Sequence, residues 1–193
     1  MIVVAHMSAD VKRETDLLVV NCCINNPSSD LSGLSPFVLG PCDLYGRHRA
    51  MRMENAWQFC KVYPAHADRD GNPGGYYWSW AERGWNDMRA HRYPMGRGTK
   101  PLYSLWDGEH LGYIEARKRI YVPLYAKLVV QTTAYRKLQL LHEGGDGLIL
   151  LDWDGRHDPR PFSEILNDST QIMGHAFVLK ALLENDSVLA ELL

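Results

Sequence analysis

No stretch of this 193-residue chain approaches the roughly 18 uninterrupted apolar positions that a membrane helix needs, so no membrane span is expected. The first residues, MIVVAHMSADVKRE, carry a short apolar run without the basic segment that opens an export signal, and the reading is of a cytoplasmic protein. Cysteine is sparse. Cys22, Cys23, Cys42 and Cys60 include one vicinal pair and no CxxC, which speaks against a zinc finger or a disulfide framework and for reduced, packed thiols. The histidines show no ligand spacing, so neither a metal nor another cofactor is expected. An excess of one charge is missing too: a net charge of −2 gives no general pull toward nucleic acid or anionic lipid. Internal repeats and low-complexity tails are absent.

What remains is the composition of a globular domain, 46% hydrophobic and 23% charged, of a length that suits a single domain over 1–193. Six Trp and ten Tyr are the notable content, because flat side chains in that number either fill a core or line a pocket that stacks on a planar ligand.

Along the chain, Asp16 to Ile24 (DLLVVNCCI) is a short β-branched run ahead of the turn Asn25-Asn26-Pro27-Ser28-Ser29 and reads as a buried strand. Pro36 to Leu39 reads as a second. The basic group Arg47, His48, Arg49 and Arg52 is either a phosphate-facing patch or solvated surface. Arg52 to Tyr63, RMENAWQFCKVY, reads as a helix with Glu54, Gln58 and Lys61 on one face and Met53, Ala56, Trp57 and Cys60 beside them. That face is either an acid–amide–amine array around a ligand or an ordinary solvated stripe. Residues 64–94 form a long loop, rich first in Asp, Gly and Pro and then in aromatics (YYWSWAERGW), where an insertion of this length tends to be functional.

Pro94 to His110 is irregular around Gly96, Gly98 and Pro101, with Arg97 and Lys100 set for anion contact, but without the spacing of a nucleotide P-loop. Ile114, Tyr121, Leu124, Leu128, Tyr135 and Leu138 mark a long amphipathic helix that Pro123 should kink or split and that Gly144-Gly145 should end. Gly147 to Gly155 (GLILLDWDG) reads as a buried strand with two acids at its end. Asp152 and Asp154 then either face a site or cap backbone amides in a turn. Thr170 to Leu193 reads as one or two terminal helices. The fold class expected is α+β, predominantly α-helical, with a few short strands.

Four of these stretches, in order, resemble the NADAR family of small domains linked to NAD and ADP-ribose chemistry. Leu31-Ser32-Gly33-Leu34-Ser35-Pro36-Phe37 is similar to that family's LSNF…PF opening. Glu54-Asn55-Ala56-Trp57-Gln58-Phe59-Cys60-Lys61 matches its E-x-x-aromatic-Q-x-x-K helix. Met95-Gly96-Arg97, Lys100-Pro101-Leu102 and Trp106 resemble its MGR…KPL…W segment, and Ala126-Lys127-Leu128 with Leu138 to Leu141 resembles its ALRAKF…LLLATG stretch. The chain departs from the pattern in the aromatic-rich insertion at about 64–94, in an insertion after Trp106, and at Asp152-Trp153-Asp154-Gly155, where the family carries D…WG. The second acid is therefore open between Asp152, Asp154 and Asp158.

The resemblance implies an N-glycoside hydrolase acting on a nucleotide-type small molecule or an ADP-ribosylated nucleobase, with nucleic acid as one carrier of that base. It implies Glu54 as acid or base, Asp154 or Asp152 as a second carboxylate, and Lys61 as a ribose contact or Schiff-base amine. Trp106 would stack on the base, with Trp57, Gln58 and His48 nearby and Arg97 and Lys100 on phosphate. Two rivals stand beside it: a non-catalytic reader of ADP-ribose or a modified nucleotide, and an interaction domain presenting a convex apolar patch around Trp78 and Trp80.

Overall fold

The computed structural model describes residues 1–10, 16–26, 28–145 and 147–193. Its frame is a parallel sheet of β1 (Ile2–His6), β8 (Leu148–Asp152) and β2 (Leu18–Asn21), with β8 in the middle. Ile2 and Leu18 both pair with Leu148, and Val4 and Val20 both pair with Leu150. A central parallel strand is covered on both faces, which is why β8 reads as a continuous apolar run. The strand expected over 16–24 is thus the shorter β2; Pro27, in the turn expected after it, lies outside the described residues.

Parallel neighbours cannot be joined by a hairpin, so the chain between β2 and β8 must cross over, and it builds most of the helical layer as it does so. A hairpin of β3 (Cys42–Asp43) and β4 (Arg49–Ala50) leads into α1 (Met53–Phe59). An antiparallel sheet of β5 (Lys61–Val62), β6 (Tyr103–Trp106) and β7 (Glu109–Leu111) follows α1, with α2 (Gly75–Asn86) between β5 and β6. Then come α3 (Tyr113–Ala116), a π-turn (Arg117–Tyr121) and α4 (Val122–Val129) as one continuous rod, and α5 (Thr133–Glu143). After β8 the chain closes with α6 (Phe162–Asn167), α7 (His175–Leu183) and α8 (Ser187–Ala190). The larger core lies between the parallel sheet and α4 to α8, and a second, more aromatic core joins α1, α2, β5 and β6 through Phe59, Tyr77, Trp80, Trp85 and Leu105. Together they make a small α+β domain. Among the described residues no helix is long and apolar enough to cross a membrane.

Several sequence expectations change here. Pro36–Leu39 is a turn, because the Ser35 carbonyl collects the amides of both Val38 and Leu39. The helix expected over 52–63 stops at Phe59, and Lys61 opens a strand paired with Ser104. The insertion is not all loop: Tyr77, Trp80, Ala81, Gly84 and Trp85 recur at helical spacing and form the buried face of α2. A Cβ on Gly84 would overlap the Phe59 ring, so this glycine lets α1 and α2 lie close. Pro123 does not split its helix. The wider turn just before it absorbs the proline, and the rod breaks later, at Thr132, whose hydroxyl caps the Tyr135 amide and starts α5.

Candidate functional site

A cleft of about 860 Å³ opens at the carboxyl ends of the parallel strands, where ligands bind in sheets of this kind. One wall is α1 with the start of β5. Its first backbone amides are satisfied by the loop before it, Met53 N–H donating to Leu39 O at 2.9 Å and Glu54 N–H to Pro36 O at 3.1 Å. The helix therefore begins without a side-chain cap, and Glu54 is free to turn inward. Glu54 is 5% exposed, and its Oε1 accepts from Gln58 Nε2 at 2.8 Å. Gln58 Oε1 in turn accepts from Lys61 Nζ at 2.7 Å, and that ammonium sits 4.5 Å above the Trp57 ring. All four residues line the cleft. Among the described residues no hydrogen bond is made to Glu54 Oε2, which leaves that oxygen for a ligand.

Electrostatics follow from this burial. Desolvation pushes the Glu54 carboxyl above the usual carboxylate range, against the Gln58 hydrogen bond and the charges of Lys61, Arg92 and His175. It also holds the Lys61 amine below its ordinary value, against Cys60 and Glu54. An acid that holds its proton more tightly than usual and an amine that sheds one more readily are thus joined through a single amide.

The opposite wall is the end of β8. Asp152 is 2% exposed and accepts from three donors, Ala176 N–H at 3.0 Å, Asp154 N–H at 3.1 Å and the Cys23 thiol at 3.6 Å, with His175 Nδ1 beside it at 3.1 Å. Burial would raise this carboxyl, but His175 and then the two backbone amides outweigh it and hold it low. Both readings of the strand end are realised, since Asp152 caps amides and also lines the cleft. Asp154 is gripped by Arg92, whose Nη2 lies 2.6 Å from each carboxylate oxygen. Trp153, 54% exposed, stands at the rim.

The remaining side is the loop 169–173, held from behind by one side chain. Arg117, in the π-turn and 2% exposed, donates to the carbonyls of Ile165, Leu166, Asp168 and Gln171 at 2.9 to 3.1 Å and stacks under Tyr113. Tyr121 packs against Trp57 at 5.2 Å, and Gly96, Gly98, Thr99 and Lys100 close the mouth.

Of the residues singled out in the sequence, the cleft brings together Glu54, Trp57, Gln58, Lys61, Lys100, Asp152 and Asp154. Others lie elsewhere. Trp106 is on β6, against Tyr45 at 5.0 Å and the small core of Cys60, Leu111 and Ile120, so the flat surfaces of the cleft come from other residues, Trp57, Tyr113 and Tyr121 among them. His48 stacks on Trp78 at 5.8 Å, Arg97 is exposed outside the cleft wall, and Asp158 is bound by Arg156 and Arg160. Trp80 is buried in the second core and Trp78 packs against it, leaving Tyr76 as the exposed aromatic of α2 rather than a patch around Trp78 and Trp80.

Arg92, Tyr113, Arg117, Tyr121, Cys23 and His175 also line the cleft, and nothing in the local sequence marks them as site residues. Arg92 sits in the insertion and finds Asp154 across 62 positions, a pairing that no local spacing encodes. The fold and site define an α+β domain with a polar, aromatic-walled cleft at the carboxyl edge of a parallel sheet. Compared with family models, curated proteins and solved structures, the chain matches none.

Proposed function

We propose that the protein is an N-glycoside hydrolase that releases a base or amine from a ribosylated, nucleotide-type substrate, with a NADAR-like arrangement of its helices. The observation that carries this reading is the chain Glu54–Gln58–Lys61, a buried acid with one oxygen toward a cleft and a cation fixed two hydrogen bonds away. Cleavage of an N-glycosidic bond builds positive charge at the anomeric carbon and negative charge on the departing nitrogen. Glu54, whose carboxyl burial raises above its usual range, donates a proton to that nitrogen as the C–N bond breaks. Water then attacks the anomeric carbon, its proton returning to Glu54, and yields the free base and the sugar hemiacetal.

Asp154 suits the second carboxylate better than Asp152 does. Asp152 already has three donors and the His175 ring, whereas Asp154 is oriented by Arg92 at the cleft wall and can face developing positive charge. Trp57 and Tyr121 offer the flat surface for the base, and Lys100 at the mouth a contact for phosphate. The test is release of free base from ribosylated nucleotides, followed by chromatography. Glu54→Gln keeps the Gln58 hydrogen bond and the fold and lowers turnover by about 10²- to 10⁴-fold, the contribution of a positioned acid. Unchanged turnover in a folded Glu54→Gln protein would end the proposal.

One observation favours a second reading, a non-catalytic nucleotide-binding module: both aspartates at the end of β8 are engaged by neighbours. That reading predicts the same ligand affinity before and after Glu54→Gln, with no product from either protein.

A further inference from the structure

Three side chains from distant segments meet in the cleft: Cys23 after β2, Asp152 at the end of β8 and His175 at the start of α7. One ligand-type atom from each lies within 4.8 Å of the others. Asp152 Oδ2 is 3.1 Å from His175 Nδ1, and Asp152 Oδ1 is 3.6 Å from Cys23 Sγ. Bonds of about 2.0–2.3 Å to a tetrahedral metal place neighbouring ligand atoms roughly 3.3–3.8 Å apart, and each of these separations, one to either carboxylate oxygen, is near that length.

The imidazole is oriented as a ligand as well. His175 Nε2 donates to the Cys22 carbonyl at 2.9 Å, which leaves Nδ1 as the nitrogen that faces the carboxylate. Metal-bound histidines are characteristically fixed through their second nitrogen in this way. Asp152 is fixed independently, by the Ala176 and Asp154 amides, one on each oxygen. Gly174 completes the packing, because a Cβ there would overlap Asp152 Oδ2.

We propose that Cys23 Sγ, the Asp152 carboxylate and His175 Nδ1 form a binding site for one borderline divalent cation, Zn²⁺ or a close analogue, open to the cleft on its remaining side. The cation takes the place of the Cys23 thiol hydrogen, which is released to solvent, and is bound by that thiolate, the Asp152 carboxylate and the Nδ1 lone pair of His175. Two positive charges meet one thiolate and one carboxylate, so no ion is left uncompensated in a buried place. The two backbone bonds to Asp152 persist through the exchange. One sulfur, one nitrogen and one carboxylate select zinc, cobalt or ferrous iron over magnesium or calcium, which prefer all-oxygen shells. The other cysteines do not compete for this role: Cys22, Cys42 and Cys60 are buried and do not line the cleft. Spacing gave no sign of the site because its ligands stand at 23, 152 and 175, brought together by the parallel pairing of β2 with β8 and the packing of α7 on β8.

The test uses the full chain, stripped of metal by chelator and titrated with Co²⁺, and it reads binding without reference to hydrolysis. The expected result is one Co²⁺ per chain, four-coordinate visible bands, and a near-ultraviolet sulfur-to-metal band. Cys23→Ser should abolish that band and weaken binding by at least ~10-fold, as loss of a metal-site partner does. Cys42→Ser, in the β3–β4 hairpin, should change neither. X-ray absorption on the wild-type cobalt or zinc protein gives an independent reading, one sulfur and the rest nitrogen or oxygen, should Cys23→Ser fail to fold. Failure to bind Co²⁺ or Zn²⁺ at micromolar concentration, a sulfur-free shell, or a band that survives Cys23→Ser overturns the proposal.

Discussion

The two walls of the cleft treat their carboxylates in opposite ways. On α1, Glu54 has one hydrogen-bond partner, an oxygen left over, and a carboxyl held above its usual range by burial. At the end of β8, Asp152 is as deeply buried yet held below its usual range, because His175 and three hydrogen-bond donors surround it. Similar burial gives shifts of opposite sign. What decides is the number of donors within reach, and a site that needs both an acid and fixed negative charge can obtain them from one residue type in this way.

The contrast breaks hardest at Asp152. In the metal-free protein, Asp152→Ala leaves two amides and the Cys23 thiol without their acceptor and His175 without its partner. Unfolding by urea should show a loss of about 3–5 kcal/mol, the usual result of removing one member of a buried pair. A loss of under ~1 kcal/mol would mean that the wall does not depend on this carboxylate.

Acid and base titrations sharpen the comparison at a smaller scale. Asp168, beside the loop wall, is held down to about 2, first by the Thr170 hydroxyl and then by Arg160. A lowered carboxyl adds stability above its unfolded value of ~4 and loses it as the pH falls toward ~2, so amide exchange in 168–172 should quicken over that window. Glu54, with a raised carboxyl, has the reverse sign. Its share of stability is complete below the unfolded value of ~4.3 and is lost as the pH rises through its folded value, and Glu54→Gln should remove that alkaline-side loss in a pH series of melting temperatures. The smallest effect is expected at Trp106, outside the cleft: Trp106→Phe should leave KM for a ribosylated substrate within about twofold, whereas Trp57→Ala should raise it by the ~0.5–1.5 kcal/mol of a lost aromatic contact.

Local pattern carried some of this and missed the rest for identifiable reasons. Glu54 and Gln58 share a face because they stand four apart on α1, and β8 was readable because a central parallel strand is apolar throughout. Lys61 reached the same group by another route, from the first residue of a strand, since the helix had already ended at Phe59. The helix in the insertion was masked by the Asp, Gly and Pro residues ahead of it, although its aromatics keep helical period. β1 and β2 acquire meaning only through β8, which lies at the other end of the chain, and Arg92–Asp154, Arg117 and the cluster at Cys23 exist only once that pairing has formed.

Arg117 grips main-chain carbonyls alone, at four positions along 165–171. Because the grip ignores side-chain identity, Ser169, Thr170 and Gln171 can be exchanged without releasing the backbone that carries them. The same scaffold can thus acquire a new selectivity by small substitutions at one edge, with its framework and its acid left as they are.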